Sequence, residues 1–506
     1  MRGTTIISRT SAIIGIACVC VLAFGCKKKT EPTGHTNQKR EVSREDAKKD
    51  LRIEEQANQL VFDMEEVSVF DLGDEGYEVS PYFVRGQMTL CYDPPDKVRP
   101  GQYPPFKSAR PIHGMIAFAG KTVEQSPPPM YHHLAVDESG GTGTGYDRLY
   151  FDRNGDGDLA DETPLMSLKD PPKAALLPYF SAESQVCFEG FELIFDFGSA
   201  GRQTVEVMAR LMARQRNPEL AFFPPQVRKG TIEIGGAKYD VLLGRAFSIG
   251  MPFDQGGTVF HLVPKSGPQD RPRWTGADQL ISMHLIGGKH YHFATTPLGD
   301  KLFARPYDGP LGTFEVGPGG RDIQEVSIQG SLHFKETVSA VAVGDNGLED
   351  GWPKPAKGCR VPVGDYQPVF LGLTFGRLSI AISSNYHADG KPGGRDARPY
   401  VYGIKIRQDK PYIFDFTNKP DVLFASPAKD SRIKLGEELS VKAVLIDPQL
   451  DIMVRRLDDM TDVKTVTVKT ADGQERSFKR GRSLDPKVVI TRADGEKVAE
   501  GVMPFG

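Results

Sequence analysis

Two stretches, 231–243 and 282–293, share one design that narrows what this chain can become. Each is a pair of alternating apolar and polar runs around a double glycine, Gly235-Gly236 in the first and Gly287-Gly288 in the second. Alternation with period two puts every second side chain on one face of a strand. A glycine pair supplies the positive φ angles of a tight hairpin. Segments 465–478 and 488–498 use Asp472-Gly473 and Asp494-Gly495 in the same way. Between residues 203 and 214, Val205, Val207, Ala209 and Leu211 alternate with Glu206, Met208 and Arg210, which predicts another strand. No convincing long amphipathic helical pattern follows residue 60. With 54 glycines and 38 prolines among 506 residues, turns are frequent. The expected fold is mainly β, with several β-sandwich-like domains in tandem.

Length sets the number of domains. At about 150 residues each, the chain has room for roughly three. Pro224-Pro225 and Gly230 suggest a break near residue 226, and a further module is expected from about residue 411. The expected division is a leader over 1–25, a polar tether over 26–62, and β-rich domains over 63–225, 226–410 and 411–506.

Chemistry concentrates between residues 152 and 162. Asp152, Asn154, Asp156, Asp158, Asp161 and Glu162 fall there at short spacings around Gly157. Carboxylates packed this densely repel one another unless a cation neutralises them. Calcium accepts six to eight oxygens in flexible geometry, so it is the cation such a loop fits. The spacing resembles EF-hand and dockerin calcium loops, with Asp152, Asn154 and Asp156 at positions one, three and five and Gly157 at six. The resemblance implies a backbone carbonyl ligand from Asp158 and inward packing of Leu159. Thr163 stands where the closing glutamate belongs, so Asp161 or Glu162 would close a shortened loop. Leu149-Tyr150-Phe151 reads as a strand leading in. A single loop on a strand suggests a structural staple rather than a switch, which needs paired helices that reorient. The alternative is a solvated acidic turn.

The N-terminus carries a different message. Arg2 and Arg9 form a positive region ahead of an apolar run over 12–24 that is short for a membrane span and has the signal-peptide pattern. The run ends in Leu22-Ala23-Phe24-Gly25-Cys26, which resembles a bacterial lipobox. The resemblance implies export, lipidation of Cys26 and attachment to a membrane. Lys27-Lys28-Lys29 and a polar stretch to about residue 60 read as a tether, and 43–60 could form a surface helix capped by Ser43. Of the other cysteines, Cys91, Cys187 and Cys359 lie in the body, allow at most one disulfide, and form no metal-binding spacing.

Other candidates carry less. Gly140-Gly141-Thr142-Gly143-Thr144-Gly145 leads into a strand and reads as a mobile loop beside the metal site. His290 and His292 share a strand face, with Met283 and Leu285 opposite and His284 on the other side, and no third ligand is evident. Segment 435–448 resembles the turn and second strand of bacterial immunoglobulin-like modules. Val361-Pro362-Val363-Gly364-Asp365-Tyr366 resembles the strand entry of small exported β-sandwich modules. Residues 1–50 hold ten basic and five acidic side chains, which leaves the rest at −8 and argues against nucleic acid as a partner. No catalytic constellation stands out. The reading is a lipid-anchored, exported, calcium-binding protein that binds or scaffolds in the cell envelope. Its partners would be the membrane, through lipid, and an envelope component or polysaccharide. The alternative is an exported hydrolase acting on polysaccharide or peptide.

Overall fold

The computed structural model describes residues 59–73, 83, 88–89, 102–118, 132–177, 180–212, 218–245, 249–255, 257–265, 278–280, 282–335, 339–349, 352–383, 401–415, 421–426, 432, 441–447, 450, 452–469, 475–492 and 494–503. The leader, Cys26, the tether up to residue 58, Cys91 and residues 435–440 lie outside them, whereas residues 60–62 of the expected tether belong to the strand Leu60–Asp63. The described elements are thirty-four strands and four short 3₁₀ turns, so the protein is mainly β. Among the described residues no helix is long and apolar enough to cross a membrane.

The first sandwich is built from two antiparallel sheets. One contains Ile112–Ile116, His132–Asp137, Arg148–Phe151 and Leu165–Met166, in that order. The other is centred on the long strand Arg202–Met212, which pairs with Gln185–Cys187, Phe191–Asp196 and Glu219–Phe223. Their inner faces merge into one core, where Leu134, Leu149 and Phe151 meet Phe191, Phe195, Val207, Leu211 and Phe222. Alternation explains the facing. Phe191, Leu193 and Phe195 are buried while Glu192, Ile194 and Asp196 between them are exposed. The expected strand at 203–214 runs from Arg202 to Met212.

The chain changes sheets at Pro224-Pro225, which separate Glu219–Phe223 from Gln226–Ile234. The hairpin around Gly235-Gly236 forms as expected, with Ile234 opposite Ala237 and glycine φ angles of 62° and 79°. So does the one around Gly287-Gly288, with Leu285 opposite His290 and Met283 opposite His292. These hairpins close a second core in which Ile232, Val241, Leu243 and Phe260 pack on Ile286, Phe293, Leu302 and Ala304.

A thirteen-stranded sheet runs from Leu60–Asp63 to Asp421–Ser426. A third core lies between it and the small sheet formed by Gly358–Pro362, Leu311–Val316 and Tyr412–Phe414. Tyr366 is fully buried there, and its hydroxyl donates to the Pro362 carbonyl at 2.6 Å. Strands on both sides of residue 411 contribute to this arrangement. Phe414, Leu450, Ile452 and Val454 share the third core, and Ile452–Lys469 pairs directly with Leu378–Ser383. The hairpin of Lys487–Thr491 and Lys497–Val502 forms a separate, largely exposed sheet.

Candidate functional site

The acidic loop leaves the first sandwich at the end of Arg148–Phe151. The strand's pairing continues one residue further, because the Asp152 N–H donates to the His133 carbonyl at 2.9 Å. That last ladder bond draws Asp152 inside, and its side chain is fully buried. A lone buried carboxylate is costly unless donors surround it. Here the Gly155 N–H donates to Oδ1 at 2.7 Å and the Gly157 N–H to Oδ2 at 3.1 Å. The chain can curl around one carboxylate because Gly155 and Gly157 adopt φ angles of 72° and 81°. His132 Nδ1 lies 2.7 Å from the Asp152 carbonyl. A carbonyl can only accept, so that nitrogen carries the proton.

Beyond Asp152, each side chain serves its own stretch of backbone. Asn154 Oδ1 accepts from the Asp156 N–H at 3.1 Å, and Asp156 Oδ1 from the Asp158 N–H at 2.8 Å. Asp158 Oδ1 accepts from the Ala160 N–H at 2.8 Å. Glu162 folds back to the loop entrance and takes the Arg153 N–H at 2.8 Å. Leu159 is fully buried against Ala135, Tyr150, Tyr103 and Phe106, and its N–H donates to the Gln102 carbonyl at 3.0 Å. The loop is thus held to the body at its first residue and at its eighth.

The loop's charged groups act on one another. Burial raises the Glu162 carboxyl above its ordinary value, the Arg153 N–H and charge oppose this, and the charges of Asp152 and Asp161 push it up further. Burial lowers the neighbouring His133, with Asp152 working the other way. Hard oxygens, two left-handed glycines and mutually repelling acids are the chemistry that calcium satisfies. The expected common cage is not formed, however. Among the described residues no group of three or more His, Cys, Asp or Glu stands ready to hold a metal ion. The oxygens are turned onto backbone N–H groups instead, and Asp161 is exposed. Binding an ion at Asp152, Asn154, Asp156, Asp161 and Glu162 would therefore require the outer side chains to turn inward around a preset Asp152.

The glycine-rich segment is placed differently from expectation. It joins His132–Asp137 to Arg148–Phe151, so it lies at the opposite end of that hairpin from the acidic loop, roughly 13 Å away along four residues of strand. It is also wrapped around one buried side chain, Glu138. The Glu138 carboxylate accepts from Ser108 Oγ at 2.8 Å, Thr142 Oγ1 at 2.6 Å, the Gly145 N–H at 3.1 Å and the Gly143 N–H. Burial works to raise this carboxyl, but the bonds from Thr142, Gly143, Ser108 and Gly145 outweigh it and bring it down to about 2. Sequence reasoning missed Glu138, since nothing local marks one glutamate as the centre of a loop.

Beside this loop lies a cleft of about 570 Å³, bordered by Tyr146, Asp147, Leu168, Lys169, Asp170 and Leu176. Both Asp147 oxygens are engaged by Ser139, and Lys169 and Asp170 are exposed. Cys187 borders the cleft too, but its thiol is buried and pushed up to about 11 by that burial, against the opposing charge of Arg210. Cys359 is likewise free, and burial lifts it to about 11 against a backbone bond from Gly344.

His290 and His292 share a strand face, as the spacing required, but His290 is a core residue. Burial lowers it to about 4, opposed by a backbone bond at Ala342 and aided by His292. A histidine depressed in the folded state must stay neutral for the fold to hold. Its stabilisation is complete above the ordinary value of 6.5 and is lost as pH falls towards 4. Acid should cost roughly 3 kcal/mol at most across that window. Urea denaturation of His290→Leu at pH 7 and pH 4.5 should show that part of the pH dependence gone.

No family model, no curated protein and no solved structure matches this chain.

Proposed function

We propose that this chain is an exported, lipid-anchored protein of the cell envelope whose β-sandwiches present a binding or scaffolding surface and whose first sandwich is stapled by calcium at the 152–162 loop. The observation that carries the reading is the fully buried Asp152, held by two glycine N–H groups at the head of a run of acids. A solvated acidic turn has no need to bury its first carboxylate. Asp152, Asn154, Asp156, the Asp158 carbonyl, Asp161 and Glu162 would supply the oxygens. The cleft beside Tyr146 offers charged Lys169 and Asp170 next to apolar Leu168 and Leu176. That mixture suits a hydroxyl-rich ligand such as an envelope polysaccharide. Binding is favoured over hydrolysis because a general acid needs an apolar surrounding to raise its pKa, while Asp170 stands in solvent and Asp147 is held by Ser139.

The anchor is tested at Cys26. Two or more acyl chains hold a protein stably on a membrane, where one holds only weakly. Cys26→Ala should lose metabolic lipid labelling and be released in soluble form after export. If the variant still fractionates with membranes in high salt, Cys26 is not the anchor.

A further inference from the structure

Arg245 follows the strand Ala237–Gly244 and is only 7% exposed. Its guanidinium carbon lies 4.4 Å from the centre of the Phe253 ring and 5.1 Å from that of Phe197. Phe197 belongs to the core of the first sandwich and Phe253 to the second core, so the cation sits at their seam. The walls are fixed. The Phe253 N–H donates to the Pro297 carbonyl at 2.9 Å, and Thr258 Oγ1 donates to the Phe253 carbonyl at 2.7 Å. Gly299, at φ +71°, leaves no room for a Cβ, which would meet the Phe253 ring at 2.9 Å and Arg228 Cγ at 3.0 Å.

A second guanidinium approaches the same ring. Arg228 lies 5.9 Å from the Phe253 centre and pairs through Nη2 with Glu66 at 2.8 Å. The Glu66 charge also acts on Arg245, and the Glu66 side chain is 54% exposed. Arg245 Nε, Arg245 Nη1 and Arg228 Nε are all buried without a hydrogen-bond partner. Aromatic faces stabilise a guanidinium from above and below, but its N–H groups point outward in its own plane. A buried donor left unmade costs several kcal/mol when it is charged. Planar N–H groups of this kind match the oxygens of carboxylate, phosphate or sulfate.

We propose that Arg245 and Arg228 form an oxyanion-binding site at the seam between the first two cores, entered from the exposed Glu66 side. The shared chemistry is a compact oxyanion, arriving either as a free inorganic ion or as a carboxylate. The site is independent of the calcium reading. Glu66 would act as a gate, since it competes for Arg228.

The test is thermal melting of the full chain in detergent with chelator present, titrated with inorganic phosphate, sulfate or acetate against chloride at matched ionic strength. Saturable stabilisation by phosphate and sulfate identifies a free inorganic ion, and by acetate a carboxylate. Arg245→Met, which keeps the apolar bulk, should abolish the response, and Arg228→Met should weaken affinity by roughly tenfold or more. Glu66→Gln, at a half-exposed position, should tighten binding, and it keeps the test open if Arg245→Met does not fold. Responses no larger than that to chloride would overturn the proposal, as would a tight response that survives in Arg245→Met or weakens in Glu66→Gln.

Discussion

Phe151→Ala should remove about 3–5 kcal/mol of unfolding free energy, the usual result of deleting a fully enclosed phenylalanine. Phe151 is 1% exposed at the centre of the first core. Its ring centre lies 4.7 Å from that of Phe191 and 5.4 Å from that of Phe222, both in the facing sheet. On its own sheet it stacks on His132 at 5.1 Å. A cavity there separates the two sheets and cannot be refilled by one neighbour. A urea midpoint shifted strongly downward with an unchanged slope is the expected observation. A loss under about 1 kcal/mol would mean that the two sheets do not depend on a common core.

Asp152→Ala should cost about 2–4 kcal/mol even when calcium is absent. The change strands the Gly155 and Gly157 N–H groups around the carboxylate they enclose. Its neighbour in sequence spacing should behave in the opposite way. Asp156 is exposed, so Asp156→Ala in chelator should alter stability by no more than about 0.5 kcal/mol. Equilibrium denaturation of both variants in chelator checks this. Equal, small effects would mean that Asp152 is not the fixed point of the loop.

The residues that could be read in advance were those whose role is written in local spacing. Gly235-Gly236 and Gly287-Gly288 gave their hairpins, and the alternation from Val205 to Leu211 gave the long strand, because positive φ and period two are properties of neighbours in sequence. Leu159 is buried, as its position in the EF-hand-like spacing implied. The acidic loop was visible as a run of oxygens, but its internal pairing was not, since whether Asn154 and Asp156 face an ion or their own backbone depends on a choice among hydrogen bonds of similar strength. A module from about 411 was expected from local hairpin spacing, whereas the pairing of Ile452–Lys469 with Leu378–Ser383 spans a long interval of chain. Glu138 and Arg245 were invisible for a related cause. Glu138 is explained by Ser108, and Arg245 by Phe197 and Phe253, which only the folded chain brings near.

The calcium staple is the central functional claim, and melting curves address it most directly. An ion that binds only the folded state adds RT ln(1 + [L]/Kd), or about 2.7 kcal/mol at a hundredfold excess over Kd. Wild-type protein should melt several degrees higher in calcium than in chelator, by roughly 2–4 °C per kcal/mol for a domain of this size. Asp156→Ala should melt at one temperature in both, near that of wild type in chelator. Superimposable wild-type curves with calcium and with chelator would contradict the account and leave residues 152–162 as an acidic turn built around a buried aspartate.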